Sequence, residues 1–460
     1  MLEWSDTAPL HVSIRFGCPP EEVMDSLSNN SARIVSLGSA NRAVLKKLLS
    51  RPMSSLRALS IGMDGPHDLR RAQDLADEPA KVVPSLRILS VGYNVEGLWF
   101  CLPHLTHFKF RGLYSQQTGG EMLLGVLGVF RRCPMLEIVD VGWGEELYNS
   151  EGLVFTEADT IPLPHLRYLA QEQYVEIDQP WLPDLLHLPQ SHSIYLKKPS
   201  VVHGSDSARS LAFPFLHCKS PYLSDIRRVK LRTGYNHPEG SIATFVEIIN
   251  VQGTLLSFQK NIRPGGHIHN PWTTLDDEIN STSLSTLSFV NTGSPVVLCL
   301  ENYQLWRGED GSAAYVARGL QDLGNVTTLI LFYSAVEPCL TALEPDNREK
   351  LQWCSTIHSL VIHSPSRLDL TGSDILQSLL RVAKKRKIAK APFRSVILAI
   401  PSTDLVVSPG ELAALSEYIE RFEFLAGDDA LDWDVDKYFI PDYDPLRRRR
   451  DESAFDLDES

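Results

Sequence analysis

Apolar and polar residues follow one recurring phrase through most of the chain. Between Pro84 and Gln171 it appears four times: Pro84-Ser-Leu86-Arg-Ile-Leu89-Ser-Val91, Pro103-His-Leu105-Thr-His-Phe108-Lys-Phe110, Pro134-Met-Leu136-Glu-Ile-Val139-Asp-Val141 and Pro164-His-Leu166-Arg-Tyr-Leu169-Ala-Gln171. The rule is Pro-x-Leu-x-x-apolar-x-apolar, broken only at Gln171. The first leucines stand 19, 31 and 30 residues apart. A period of that size marks a repeat array, in which each unit buries its apolar face only by stacking on its neighbours. The alternation at the end of each phrase predicts a strand. Helical crossovers between strands predict a parallel sheet. The proline, which has no N–H and disfavours helix in the residue ahead of it, is expected to separate helix from strand.

The same reading extends in both directions. Leu10 to Phe16 alternates as a half-buried strand, and Ile34 to Leu37 gives a weaker one. Asn41 to Ser50 reads as a helix with Val44, Leu45, Leu48 and Leu49 on one face, followed by a strand from Leu56 to Ile61. Gly119 to Cys133 reads as a helix through Met122, Leu123, Val126, Leu127 and Phe130. Past Gln171 the phrase loosens. Strands are expected through Ile194 and Leu196, at Ile226–Leu231, at Leu255–Phe258 and at Leu284–Phe289, with polar loops at Lys197–Ser210 and Gln259–Asn280. The last third predicts a helix capped by Ser312 and running through Tyr315, Val316 and Leu320. It then predicts strands at Val326–Leu331 and Ile357–Ile362, a helix at Asp374–Lys385 and a strand at Phe393–Leu398. A helix opened by the capping box Ser408-Pro-Gly-Glu411 and a final strand at Ile419–Phe424 complete it. The fold class is therefore α/β, with residues 1–427 as one repeat domain, irregular around 197–225 and 259–283. Residues 428–460 form an acidic tail, disordered at its end, with twelve acidic and five basic residues and with Trp433, Tyr438, Phe439 and Tyr443.

Strand parity selects the candidate functional residues. The third and fifth positions of each phrase, counted from its leucine, face away from the helices. They hold His107, Lys109, Asp140, Tyr168, Tyr195, Arg228 and Lys230, a mixture of aromatic and charged groups that suits protein binding. In the last units the fifth positions are Ile330, Val361 and Ile397, which predicts strands buried on both faces, with the aromatic tail as the expected cover.

Composition narrows the function classes. The net charge of −13 argues against nucleic-acid binding. The seven cysteines form no Cys-x-x-Cys pair, which favours a reducing compartment, cytoplasm or nucleus. The opening Met1-Leu-Glu-Trp-Ser-Asp has no basic-then-apolar signal, and no apolar run approaches a membrane span. Gly265-Gly-His267-Ile-His269, His187, His192 and Asp276-Asp-Glu278 give no complete ligand set, so no metal is assigned. No phosphate loop or nucleophile elbow is present, and no cofactor or catalytic residue is assigned. Lys384-Lys-Arg-Lys387 reads first as a helix end complementing its dipole and second as a nuclear import signal; Arg447–Arg450 is the better import candidate.

These phrases look like degenerate leucine-rich repeats of the long strand-plus-helix form, with Asn94 alone at the consensus turn asparagine. More narrowly, Ser5-Asp-Thr-Ala-Pro-Leu-His-Val, Ser54-Ser-Leu-Arg-Ala-Leu, Pro84-Ser-Leu-Arg-Ile-Leu and Phe130-Arg-Arg-Cys-Pro-Met-Leu-Glu resemble the leucine-rich-repeat region of fungal, mushroom-type F-box proteins, across residues 1–425. The resemblance implies a horseshoe solenoid with strands on the concave face and helices on the convex face. It implies a monomer that holds a protein substrate on the concave face. In that family an F-box precedes the repeats and docks the chain on the Skp adaptor of a cullin-type ubiquitin ligase. No Leu-Pro-x-Glu stretch of that kind stands near Met1, so adaptor binding is expected only with an F-box upstream. A repeat scaffold with no link to ubiquitin, and an α/β enzyme with an unrecognised site, remain as alternatives.

Overall fold

The Pro-x-Leu phrase folds as a tight turn that feeds a strand. The computed structural model describes residues 7–14, 17–62, 82–92, 102–112, 119–143, 160–173, 182–188, 193–201, 225–236, 241–251, 255–262, 295–301, 313, 316–317, 320–321, 325–332, 336–345, 354–363, 372–400 and 408–426, some of them by backbone alone. The N–H groups of Leu86, Leu105, Leu136 and Leu166 donate to the carbonyls of Val83, Leu102, Cys133 and Leu163 at 3.2, 2.9, 3.2 and 3.1 Å. Leu56 to Met53 and Ile357 to Cys354 repeat the bond. In the four phrases proline holds the second turn position, where its fixed φ is pre-set for the bend. It is a turn former, and the expectation that it only separates helix from strand is too narrow. Both ends of those four turns are buried, at most 4% exposed. The apolar residue before each proline therefore belongs to the repeat.

The next residue ties one repeat to the one before it. Arg87, Thr106, Glu137 and Arg167 donate N–H to the carbonyls of Arg57, Arg87, Thr106 and Glu137 at 2.8, 2.8, 2.8 and 2.9 Å. Each repeat so fixes the register of its successor. The chain forms two compact units that divide at Pro199/Ser200.

The first unit contains β1 (Leu10–Ile14), α1 (Glu21–Asn29), β2 (Ile34–Ser39), α2 (Arg42–Leu49), β3 (Ala58–Ile61), β4 (Ile88–Gly92), β5 (His107–Gly112), α3 (Gly119–Arg132), β6 (Ile138–Trp143), β7 (Ile161–Pro162), β8 (Tyr168–Gln173), β9 (Leu186–His187) and β10 (Ser193–Val201). The sheet order is β1-β2-β3-β4-β5-β6-β8-β10, every pair parallel. Leu37, Leu59, Leu89, Phe108, Val139, Leu169 and Ile194 align in register as one fully buried row. Burying each such side chain contributes about 1.5–3 kcal/mol. Phe130 of α3 meets Phe108 edge-on at 6.2 Å, which places this helix on that face. In α2 the Asn41 side chain caps the helix by accepting the Val44 N–H. Helix α1 adds to the sequence expectation; it starts after Pro20 with no side-chain cap, and Glu21 and Glu22 complement its dipole.

Gln171 breaks the phrase for a visible reason. It sits in the buried row of Val91, Phe110 and Val141. Its side-chain oxygen accepts the backbone N–H of Leu182, the start of a 3-10 turn at Leu182–Leu185, at 3.4 Å. That turn leads into β9, which pairs in parallel with β7.

The second unit contains β11 (Ile226–Asn236), β12 (Ser241–Asn250), β13 (Leu255–Ile262), β14 (Val296–Glu301), β15 (Val326–Phe332), α4 (Val336–Ala342), β16 (Ser359–His363), α5 (Gly372–Ile388), β17 (Ser395–Ile400), α6 (Pro409–Tyr418) and β18 (Arg421–Ala426). Its order is β13-β12-β11-β14-β15-β16-β17-β18. From β11 through β14 to β18 the pairs are parallel, but β11–β12 and β12–β13 are antiparallel, which corrects the expectation of an all-parallel array. Four residues separate β11 from β12 and four separate β12 from β13. A parallel crossover needs a dozen or more, so hairpins are the outcome. β10 runs to Val201 and β13 to Ile262, so strand reaches into both stretches expected as polar loops, Lys197–Ser210 and Gln259–Asn280, whose remainders lie outside the described residues. Strands β12 and β14 and helix α4 also add to the sequence expectation. Leu284–Phe289 and the tail at 428–460 lie outside the described residues. Beyond Ser312, Ala313, Val316, Ala317, Leu320 and Gln321 are helical, as expected.

Side-chain clamps hold the helices of this unit. Glu344 accepts from Arg381 Nε at 2.6 Å and from Lys385, and Arg381 also reaches Glu337, so the end of α4 is locked to α5. Ser408 and Glu411 form the reciprocal capping box of α6. The Ser408 backbone N–H and then its hydroxyl hold the Glu411 carboxyl below its ordinary range.

Candidate functional site

On the face of the first sheet opposite the helices, the third and fifth phrase positions form two rows. Ile88, His107, Ile138 and Tyr168 align in one, and Ser90, Lys109, Asp140 and Ala170 in the other. Parallel strands lie about 4.8 Å apart, so Lys109 and Asp140 are direct neighbours. Arg111, two residues on from Lys109 and thus on the same face, donates from Nη2 to Asp140 Oδ2 at 2.6 Å. The carboxylate is 13% exposed and the guanidinium half-buried. Asp140 is thereby flanked by two cations of the adjacent strand. His107 Nδ1 lies 2.8 Å from Thr106 Oγ1. Below this polar group Ile138, Tyr168 and Ala170 form a buried apolar cluster with Ile88 packed against it.

Sequence parity thus brings His107, Lys109 and Asp140 together. It misplaces Tyr168, expected at the surface but 2% exposed, because its ring packs on the Ile138 neighbour and forms the floor. Tyr195 follows Ala170 in register, but its side chain is outside the described residues. Arg111 escapes a count that stops at the fifth position; the signal for it is the same alternation carried one step further, to the seventh.

Arg228 and Lys230 belong to the second unit. Arg228 is buried, against expectation, and Lys230 stands opposite Glu247 across the β11–β12 pair, where opposite charges stabilise the ladder. On the second unit's face away from its helices, the middle of the fifth-position row is apolar. Cys299, Ile330, Phe332, Val361 and Ile397 form a buried cluster with Val297 and Leu425 against it, as parity predicts for Ile330, Val361 and Ile397. His363 stacks edge-on to Phe332 at 5.0 Å. The tail expected to cover this face lies outside the described residues.

The geometry of the first face suits recognition. Two cations and a carboxylate present directional, charge-assisted hydrogen bonds around an apolar floor. No group of three or more metal-ligating side chains occurs among the described residues; His192, His267, His269 and Asp276–Glu278 are outside them. Burial pushes the Cys339 thiol well above its ordinary range, so it is a core residue. Among the described residues no helix is long and apolar enough to cross a membrane.

The basic run on α5 is mostly committed to packing. Lys385 pairs with Glu344, Arg386 is fully buried, and Lys387 donates to the Glu417 carbonyl. This favours the helix-end reading over an extended import signal; Arg447–Arg450 is outside the described residues. No protein-family model matches the chain, and no curated protein matches it.

Proposed function

We propose that the chain is a leucine-rich-repeat interaction module, a horseshoe solenoid with strands on its concave face. Its partner is a protein, held by the first unit's face at His107, Lys109, Arg111 and Asp140. The biological reading is the substrate-recognition part of a fungal F-box-type protein, in which a partner ligase performs any ubiquitin transfer and this chain supplies no catalytic group. The compartment consistent with that role is cytoplasm or nucleus.

The observation that carries the reading is the recurrence of one backbone unit: the same turn bond in six repeats and the same repeat-to-repeat bond from Arg57 to Arg167. A parallel strand row built this way presents a regular, side-chain-diverse face, which is what protein recognition by repeat arrays uses. The test is proximity capture from the native cell with the wild-type chain and with Lys109→Glu and Asp140→Lys. Helix-face Lys46→Glu serves as the control. Partners lost from the two face variants and kept by the control support the reading, and a captured set that ignores both face substitutions overturns it. Co-purification of a Skp adaptor supports the ubiquitin link; face-dependent partners without the adaptor leave a repeat scaffold.

A further inference from the structure

The C-terminal end of α5 carries a second surface with its own chemistry. Residues 381–394 hold seven basic residues and no acidic one, in a chain of net charge −13. Arg381, Lys385 and Arg386 are committed to the fold, as described. Lys384 and Lys390 are exposed and make no ion pair among the described residues. Lys387 rests over the Tyr418 ring at 5.4 Å and donates to the backbone carbonyl of Glu417, and no carboxylate pairs with it among the described residues. Between them Ile388 is 74% exposed, the highest of the large apolar side chains among the described residues. Lys384, Lys387 and Ile388 share one helix face by their spacing.

Lys390 adds an independent observation. Its φ is +61°, and the helix closes through Ala391 N–H to the Arg386 carbonyl at 2.9 Å and Lys390 N–H to the Lys387 carbonyl at 3.1 Å. This is the Schellman closure, and the left-handed position belongs by preference to glycine. A lysine there is strained. The sequence places a cation where folding alone favours glycine, and such outliers point toward function.

We infer that the end of α5 is a docking surface for an acidic protein segment bearing an apolar side chain. Ile388 takes the apolar group, and Lys384, Lys390 and the remaining donors of Lys387, which spends one on the Glu417 carbonyl, take the carboxylates. An apolar centre within a charged rim is the anatomy of a small interface. The patch spans less than two helical turns, and the net charge of the chain repels extended polyanions, so a short protein segment fits better than nucleic acid or an anionic membrane.

The test uses the full chain and a fluorescein-labelled peptide of repeated Asp-Glu-Leu, followed by anisotropy at rising salt. Wild type binds, and binding weakens as salt rises. Lys384→Glu combined with Lys390→Glu weakens it about tenfold. Ile388→Ser weakens it without the salt dependence changing. Lys390→Gly is the decisive variant: it melts at a higher temperature and binds more weakly. A peptide that does not bind, or that binds these variants as tightly as wild type, overturns the proposal. Duplex DNA or phosphatidylserine vesicles binding more tightly than the peptide, with the same losses, overturns it in favour of that polyanion.

Discussion

A buried cation without a counter-charge is costly, and Arg386 is one. Its side chain is 0% exposed. Nη1 donates to the Cys354 carbonyl at 2.9 Å and Nη2 to the Ile357 carbonyl at 2.7 Å, closing the turn before β16 onto α5. The guanidinium carbon lies 4.2 Å from the Phe393 ring centre. No carboxylate partners it among the described residues, and Nε makes no hydrogen bond. Desolvation pulls its pKa from the ordinary arginine range down to about 10. That drop corresponds to roughly 3 kcal/mol against the charged form. That drop is already net of the bond to Cys354; removing the guanidinium forfeits two charge-assisted hydrogen bonds of about 1.5–3 kcal/mol each, with their carbonyls left buried, and a cation–π contact of about 1 kcal/mol. With the desolvation of the charge relieved at the same time, Arg386→Met destabilises the second unit by about 2 kcal/mol. Arg386→Ala adds a cavity and reaches about 4 kcal/mol. A base with a lowered folded pKa carries its penalty at every pH below that value, and the penalty is relieved only as pH rises through it toward the unfolded pKa. The stability difference between wild type and the Arg386→Met variant is therefore flat through neutral pH. The assay is hydrogen exchange of peptides from β16 and α5, since two units need not unfold together. Protection in the Met variant should fall about thirtyfold. Wild-type protection in that variant would mean the guanidinium is merely tolerated, an outcome known for buried charges elsewhere.

Two further outcomes follow from the same packing. Ser408→Ala removes the cap of α6 and costs about 1 kcal/mol. It also lets the Glu411 carboxyl titrate higher, seen by carboxyl NMR. Because the folded pKa of Glu411 is depressed, its stabilisation is complete above the ordinary carboxylate range and is lost as pH falls through the lowered value. A Glu411 titration unmoved by the substitution would show that the box does not form in solution. Ile330→Ala, in the apolar cluster with Val361 and Ile397, should lower stability by about 2–4 kcal/mol, whereas Ser90→Ala on the corresponding face of the first unit stays within about 0.5 kcal/mol. Equal effects at the two positions in thermal unfolding would remove the distinction between the two faces.

Much of the strand framework is legible in the sequence because an alternating phrase after a Pro-x-Leu turn has one local solution. The caps at Asn41 and Ser408 are legible for the same reason, since their bonds are local. Strand direction is not. Ile226–Leu231 has the same pattern whether its neighbours run parallel or antiparallel, and only the four-residue connections after Asn236 and Asn250 carry that signal. Parity names the correct face for Tyr168 and Arg228 but does not say what lies against that face. Arg386 shows a different failure. Read as part of a basic run it is a surface residue, yet it continues the buried stripe of Leu379, Val382 and Ala383 at helical spacing. Helical phase outranks composition there.

The same strand phrase serves two purposes in this chain, and the fifth position separates them. In the first unit it holds Ser90, Lys109 and Asp140, whose polar groups remain close enough to solvent to meet a partner. In the second it holds Cys299, Ile330, Val361 and Ile397, which are buried, with Lys230, opposite Glu247, and Glu423 at the two ends of the parallel row. A horseshoe that recognises its partner through strand side chains can do so only where those side chains are reachable. On the proposed reading, recognition through the sheet therefore centres on the first unit. Away from that buried cluster, the cationic end of α5, with its strained Lys390 and exposed Ile388, is equipped to make a contact of its own.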